Sequence, residues 1–236
     1  LGGITGPTRD LDVYLLTFDE YKNSLPEFQR DHLEPLRHFL HAHQKMEQEK
    51  MATSLGSSRY RDFKRDWREF LESPDPETTT LPNTARPVLD VVSRRIQNVY
   101  KLAVKEGRAI GPDTPAEALH DLRKTCKKLR YLMEIFQSLY LSTDLKHLIR
   151  ALKVLQENLG DFQDLEVQAM TLRRFGQQMM DEDHVGVDTL FVMGTLIVGL
   201  EKRQQKARRA FSVCFEEFDC AEIRALFKEI FAEMNE

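Results

Sequence analysis

The run His120-Asp121-Leu122-Arg123-Lys124-Thr125-Cys126-Lys127-Lys128-Leu129-Arg130-Tyr131, continuing as Leu132-Met133-Glu134-Ile135-Phe136, decides how the rest of the chain is read. At about 100° per residue, Leu122, Cys126, Leu129, Met133 and Phe136 gather on one side of a helix. His120, Arg123, Lys124, Lys127, Arg130 and Tyr131 gather on the other, with Lys128 at the edge. One side suits a core and the other is cationic. Between His120 and Tyr131 the only acid is Asp121, which the wheel places off the basic face. Solvated helices usually mix signs, with acids three or four residues from bases. Two readings stand at this point: a solvated face of unusual charge, or cations gathered to hold an anion.

Two other segments repeat the theme. Arg94, Lys101, Lys105 and Arg108 oppose Leu89, Val92, Ile96, Val99 and Ala103. Lys202, Lys206 and Arg209 oppose Leu200, Ala207, Phe211 and Phe215. The chain as a whole carries a net charge of −4, so overall charge does not favour nucleic acid. Same-sign stripes in an acidic protein suggest convergence on a polyanion. Arg meets phosphate through a planar fork and Lys as a point charge.

With 236 residues, 41% of them hydrophobic and 31% charged, the chain can bury a sizeable core. Apolar spacing predicts helices at about 9–22, 28–53, 56–71, 86–107, 114–140, 144–158, 161–180, 186–218 and 221–234. Breaks are expected at 72–87, with four prolines and the run Glu77-Thr78-Thr79-Thr80, at 106–115, and at Asp181-Glu182-Asp183 with Gly186. Thr114-Pro115-Ala116-Glu117 reads as a helix start. An all-β fold is disfavoured, as are P-loop and dinucleotide sites, since no Gly-rich loop follows a strand. The longest apolar region, Leu190 to Leu200, is too short for a membrane span and contains Gly194, Thr195 and Gly199. Cys126, Cys214 and Cys220 are odd in number and scattered, which suggests neither disulfides nor zinc, but a reducing, cytoplasmic setting. The opening residues lack the pattern of a signal peptide.

A short internal repeat links Arg9-Asp10-Leu11-Asp12-Val13 to Gln163-Asp164-Leu165-Glu166-Val167, with Gly6 and Gly160 placed alike. Each copy is expected to open a helix, and a duplicated helical bundle follows. HDLRKTCKKLRYLMEIF (His120 to Phe136) and LKVLQENLGDFQDLEV (Leu152 to Val167) resemble the second-half signature of CHAD domains, the conserved-histidine α-helical domains. TRDLDVYLL (Thr8 to Leu16) resembles the first-half element, and SSRYRDF (Ser57 to Phe63) the segment between them. The resemblance covers essentially the whole chain. It implies an all-α fold of two pseudo-symmetric antiparallel helical bundles around a basic central groove or channel, which binds inorganic polyphosphate without catalysis or cofactor. It implies a single domain over 1–236, with halves at about 1–110 and 114–236. The motif positions it carries over are His120, Arg123, Lys127, Arg130, Tyr131, Lys153 and Arg9. The helical wheels add Lys124, Lys128, Arg94, Lys101, Lys202 and Lys206. Family members open with a first-half counterpart of the His-x-x-Arg helix. This chain starts almost on the Arg-Asp-Leu-Asp element, so the first half is expected to lack its first helices.

The alternatives are an accessory domain of a phosphate- or triphosphate-processing enzyme, with a fused or associated triphosphate-tunnel domain, or an adaptor for other polyanions. Nucleic-acid readout calls for aromatics among the cations, and the stripes offer only Tyr131. An acidic-protein adaptor calls for an exposed hydrophobic anchor. Neither specific nucleic-acid binding nor membrane binding is expected. Asp161, Asp164 and Glu166 read as capping and dipole partners at a helix start rather than as metal ligands. His38, His41 and His43 read as polar helix surface, so no metal site is expected.

Overall fold

The structure is a computed structural model that describes residues 1–73, 83, 85–140, 144–182 and 185–231. Among the described residues the chain forms nine α-helices and no strand, an all-α fold. They are α1 (Gly2–Leu16), α2 (Phe18–Asn23), α3 (Glu34–Leu55), α4 (Ser58–Glu72), α5 (Val88–Arg108), α6 (Ala116–Ile135), α7 (Asp144–Asp181), α8 (Val187–Phe218) and α9 (Ala221–Ile230). Short 3-10 turns lie at Glu27–Leu33 and Gln137–Leu139. Among the described residues no helix is long and apolar enough to cross a membrane. The expected run Glu77 to Thr80 and residue Asp183 lie outside the described residues.

Several expectations are corrected. The helices expected at 144–158 and 161–180 are one 38-residue helix, α7. A single interior glycine costs only about 1 kcal/mol, and Leu155, Leu159 and Phe162 carry the buried spacing straight past Gly160. Asp161 and Asp164 are therefore interior residues that cap nothing. Neither repeat copy opens a helix: Arg9 to Val13 lies inside α1, which already starts at Gly2, and Gln163 to Val167 lies inside α7. The helix start near Thr114 is present one residue later than expected, with Pro115 as the capping position and Glu117 in the first turn.

The chain divides into two compact units, Leu1–Thr78 with Ala169–Gly199, and Thr79–Gln168 with Leu200–Glu236. Each unit draws on both parts of the sequence, because α7 and α8 contribute to both. In the first unit, Leu11, Tyr14, Phe18, Leu36, Phe39 and Leu40 are buried together with Leu172, Phe175, Met193 and Leu196. Phe175 meets Tyr14 and Phe39 edge-on, at 5.5 and 5.6 Å between ring centroids. Burial pushes the Tyr14 hydroxyl up to about 12, so it stays protonated. Helix α4 behaves differently. It buries no residue, and it exposes Phe63, Trp67, Phe70 and Leu71.

The second unit has a continuous core. Val92, Ile96, Val99 and Ala103 of α5 join Leu119, Leu122, Cys126, Leu129 and Met133 of α6. Leu148, Leu152, Leu155, Leu159 and Phe162 of α7 and Phe211, Phe215 and Phe218 of α8 complete it. Gly107 lets α5 and α8 approach: a Cβ there would sit 1.9 Å from the Phe215 ring. Cys126 belongs to this core. Burial, with Glu106 adding to it, pushes its thiol up to about 12, which leaves it protonated and unreactive.

The two environments predict different mutational costs. Leu122→Ala or Leu129→Ala should lower unfolding free energy by about 2–5 kcal/mol, whereas Phe70→Ala should stay within about 0.5 kcal/mol. Denaturant unfolding followed by far-UV circular dichroism measures both. Equal losses would mean that the α4 face is packed like a core.

Candidate functional site

Packing α6 through Leu119, Leu122, Cys126, Leu129 and Met133 fixes the direction of its cations. They divide into two rows. His120, Arg123, Lys127 and Arg130, at i, i+3, i+7 and i+10, border the core face and are half-buried. Lys124, Lys128 and Tyr131 face outward and are exposed. The contrast is large: the Arg123 and Arg130 side chains keep 24% and 26% of their exposure, and Lys124 keeps 76%.

The inner row is half-buried because α7 runs antiparallel beside α6. His120 Nε2 lies 2.8 Å from Glu166 Oε2, and Arg123 Nη2 lies 3.6 Å from Asp164 Oδ1. Further along, Lys153 Nζ lies 3.4 Å from Glu134 Oε1. These pairs share one register, which places Gln156 level with Arg130. Gly160 leaves space beside the row: a Cβ there would lie 3.9 Å from both Nε and Nη2 of Arg123. The structure therefore brings His120, Arg123, Lys127 and Arg130 of α6 to one strip with Lys153 of α7.

The strip is mixed in charge, which corrects the purely cationic face expected from the wheel. Glu134 stands between Lys153 and Arg130, whose Nε is 3.9 Å from Glu134 Oε2. Asp121, expected off the basic face, pairs with Lys124 at 3.0 Å. Most of the inner-row pairs are longer than a hydrogen bond, so the cations are offset in charge without committing their donors. Arg130 Nε is buried with no hydrogen-bond partner. So is His120 Nε2, whose close approach to Glu166 lacks hydrogen-bond alignment. Both amide atoms of Gln156 are also buried and unpartnered. Leaving such a group unpaired costs about 1–3 kcal/mol, so the strip holds hydrogen-bonding capacity that its protein neighbours do not use.

The remaining candidates lie apart from these pairs. Arg94 and Lys101 are exposed on α5, on the side opposite Val92, Ile96 and Val99. Lys202 and Lys206 are exposed on α8, opposite Leu200 and Phe211. Arg9 is exposed on α1, in the other compact unit. Among the described residues no group of three or more His, Cys, Asp or Glu is placed to hold a metal ion. His43 instead lies 3.4 Å from Glu182 and against the Phe39 ring.

Sequence reasoning missed five residues. Glu134 sits four residues after Arg130, so helical spacing could have found it. Asp164, Glu166 and Gln156 required the α6–α7 register. Arg208 of α8 supports the start of α6 by donating to the carbonyls of Gly111, Pro112 and Thr114. One expected stripe member is already engaged: Arg108 makes a bidentate contact with Asp219, at 2.7 and 3.0 Å, and Arg224 adds a third bond at 3.1 Å.

Burial opposes ionisation of Asp219, but the hydrogen bonds and charges of Arg108 and Arg224 outweigh it and hold the carboxyl below its usual range. A carboxyl lowered on folding contributes stability above its unfolded value, near 3.9, and loses it as pH falls through the lower folded value. Asp219→Asn should cost about 1–3 kcal/mol at neutral pH, and the difference from wild type should shrink as pH drops below about 4. Thermal melts across that range test the sign; a gap that widens in acid would contradict it.

Comparison with known proteins places this strip in context. The family model for the CHAD domain matches residues 1–173. Two uncharacterized proteins of Mycobacterium tuberculosis, from different strains, are each 28% identical over 156 residues, which is 66% of this chain. The chain spans only 28% of the length of these relatives. The family match takes in all of α1 to α6 and α7 as far as Arg173, and so both helices that build the strip: the chain belongs to the CHAD domain family.

Proposed function

We propose that this chain is a binding module for inorganic polyphosphate, held along the α6–α7 strip. The observation that carries the reading is the half-buried row His120, Arg123, Lys127 and Arg130, in which Arg130 Nε and His120 Nε2 are buried without hydrogen-bond partners. Membership of the CHAD family and the resemblance of the His120–Phe136 and Leu152–Val167 segments to its signature support the same ligand.

The row runs about 15 Å along the helix axis, at 1.5 Å per residue. A linear polymer of phosphates offers acceptors along such a line, whereas a single phosphate reaches only one or two of the cations. Arg123 and Arg130 supply forked donors, Lys127 and Lys153 supply point charges, and His120 supplies a ring N–H. Partial burial strengthens each contact over its value in open water. Lys124, Lys128, Arg94, Lys101, Lys202 and Lys206 add outer charge that draws the polymer in. Tyr131, with the Arg130 guanidinium 5.2 Å over its ring, offers its hydroxyl from the outer row. In this reading the chain holds the polymer in the cytoplasm and performs no chemistry on it.

Binding to long-chain polyphosphate at low and moderate salt, with heparin and single-stranded DNA as competitors, tests the reading. Polyphosphate should outcompete both, with affinity falling steeply as salt rises. Lys127→Glu and Arg130→Glu should each weaken binding by about tenfold or more, or roughly 1.4 kcal/mol, with helix content unchanged. Equal binding of all three polymers would reduce the strip to a generic polyanion surface, and two silent charge reversals would place the ligand elsewhere.

A further inference from the structure

Resting on the polyphosphate reading, we infer that Glu134 is an internal competitor for the ligand: it occupies the place of one phosphoryl group between Arg130 and Lys153, and the polymer must displace it. The geometry is that of a placeholder. One carboxylate faces a cation from each helix, Lys153 at 3.4 Å and Arg130 at 3.9 Å. Neither distance is that of a good salt-linked hydrogen bond, and Arg130 Nε stays unpartnered. Glu134 is half-buried, with 35% of its side chain exposed, so it can swing to water without disturbing the core. Gln156, three residues after Lys153 on α7, has an amide N–H and carbonyl that are both unpartnered.

The arrangement has a consequence for specificity. In the empty protein the carboxylate offsets the repulsion between Arg130 and Lys153. A phosphoryl group entering there gains two cations but must displace an anion that already offsets both charges, so its net gain is small. Asp164 beside Arg123 and Glu166 beside His120 impose the same exchange at two further places on the strip. Binding then grows by small steps along the row, and only a ligand that spans several of them binds well. Glu134 is in this sense a specificity-determining residue that touches the ligand's site without attracting the ligand.

The test compares Glu134→Gln with Asp121→Asn, which makes the same change in net charge but frees Lys124 in the exposed row. Tripolyphosphate and long-chain polyphosphate are titrated calorimetrically against wild type, both variants and Lys127→Glu, over a range of salt. Glu134→Gln is expected to tighten tripolyphosphate binding by about fivefold to tenfold. Its salt dependence should also steepen by close to one ion, because Arg130 and Lys153 then recruit solution anions that the ligand releases. Asp121→Asn should change affinity less than twofold. If wild type binds and Lys127→Glu weakens it, but Glu134→Gln matches Asp121→Asn, the competitor role of Glu134 is wrong and the polyphosphate reading stands. If wild type binds neither ligand, polyphosphate binding itself fails; if it binds but Lys127→Glu has no effect, the ligand lies off this strip, and the role of Glu134 falls with it.

Discussion

The antiparallel course of α7 beside α6 governs the chemistry of the second unit. Leucines at 148, 152, 155 and 159 and Phe162 draw α7 onto the same core that α6 enters through Leu119, Leu122, Leu129 and Met133. Once both helices are bound by those residues, the side chains flanking the core face have no choice of neighbours. His120 meets Glu166, Arg123 meets Asp164 and Gly160, and Lys153 meets Glu134. The polar strip is thus a by-product of apolar packing, set by a register that the hydrophobic core enforces.

Partial burial is what separates the inner row from an ordinary charged surface. Fully exposed ion pairs contribute about 0–1 kcal/mol, and the Lys124–Asp121 pair on the outer row is of that kind. Full burial would demand tight, hydrogen-bonded partners, since desolvating an ion costs several kcal/mol. The inner row lies between these limits. Its cations lose about three quarters of their exposure, keep opposite charge nearby, and retain donors without partners. That state is tolerable without ligand and still leaves hydrogen bonds to be made.

How much could be read from the sequence depends on the range of the interaction. The apolar spacing marks α4, α5 and α8 to within about two residues, because each helix carries its own period, but α3 starts at Glu34 rather than 28, α6 ends at Ile135 rather than 140, and the helix expected at 9–22 is α1 and α2. It fails at Gly160, where a residue that often ends helices is absorbed by buried leucines on either side. The basic row of α6 is visible as a wheel pattern, down to His120, Arg123, Lys127 and Arg130. Its division into an inner and an outer row is not, because that depends on which flank α7 covers. Asp164 and Glu166 lie some forty residues from the cations they face, and no local pattern connects them. Helix α4 shows the opposite failure: its pattern is strongly amphipathic, yet its apolar face remains exposed.

The carboxylates also bear on how a binding module can discriminate by length. A row of free cations attracts any anion, and a short ligand gains nearly as much per contact as a long one. Loosely paired carboxylates subtract a similar amount at each place along the row, so the net gain per contact becomes small while the number of contacts keeps its weight. The penalty for immobilising a ligand is met once, whatever its length. A short phosphate cannot offset that penalty with one weak exchange, whereas a polymer sums several. Spacing cations with removable anions is therefore a way to prefer length over charge, and it needs no pocket shaped to the end of the polymer.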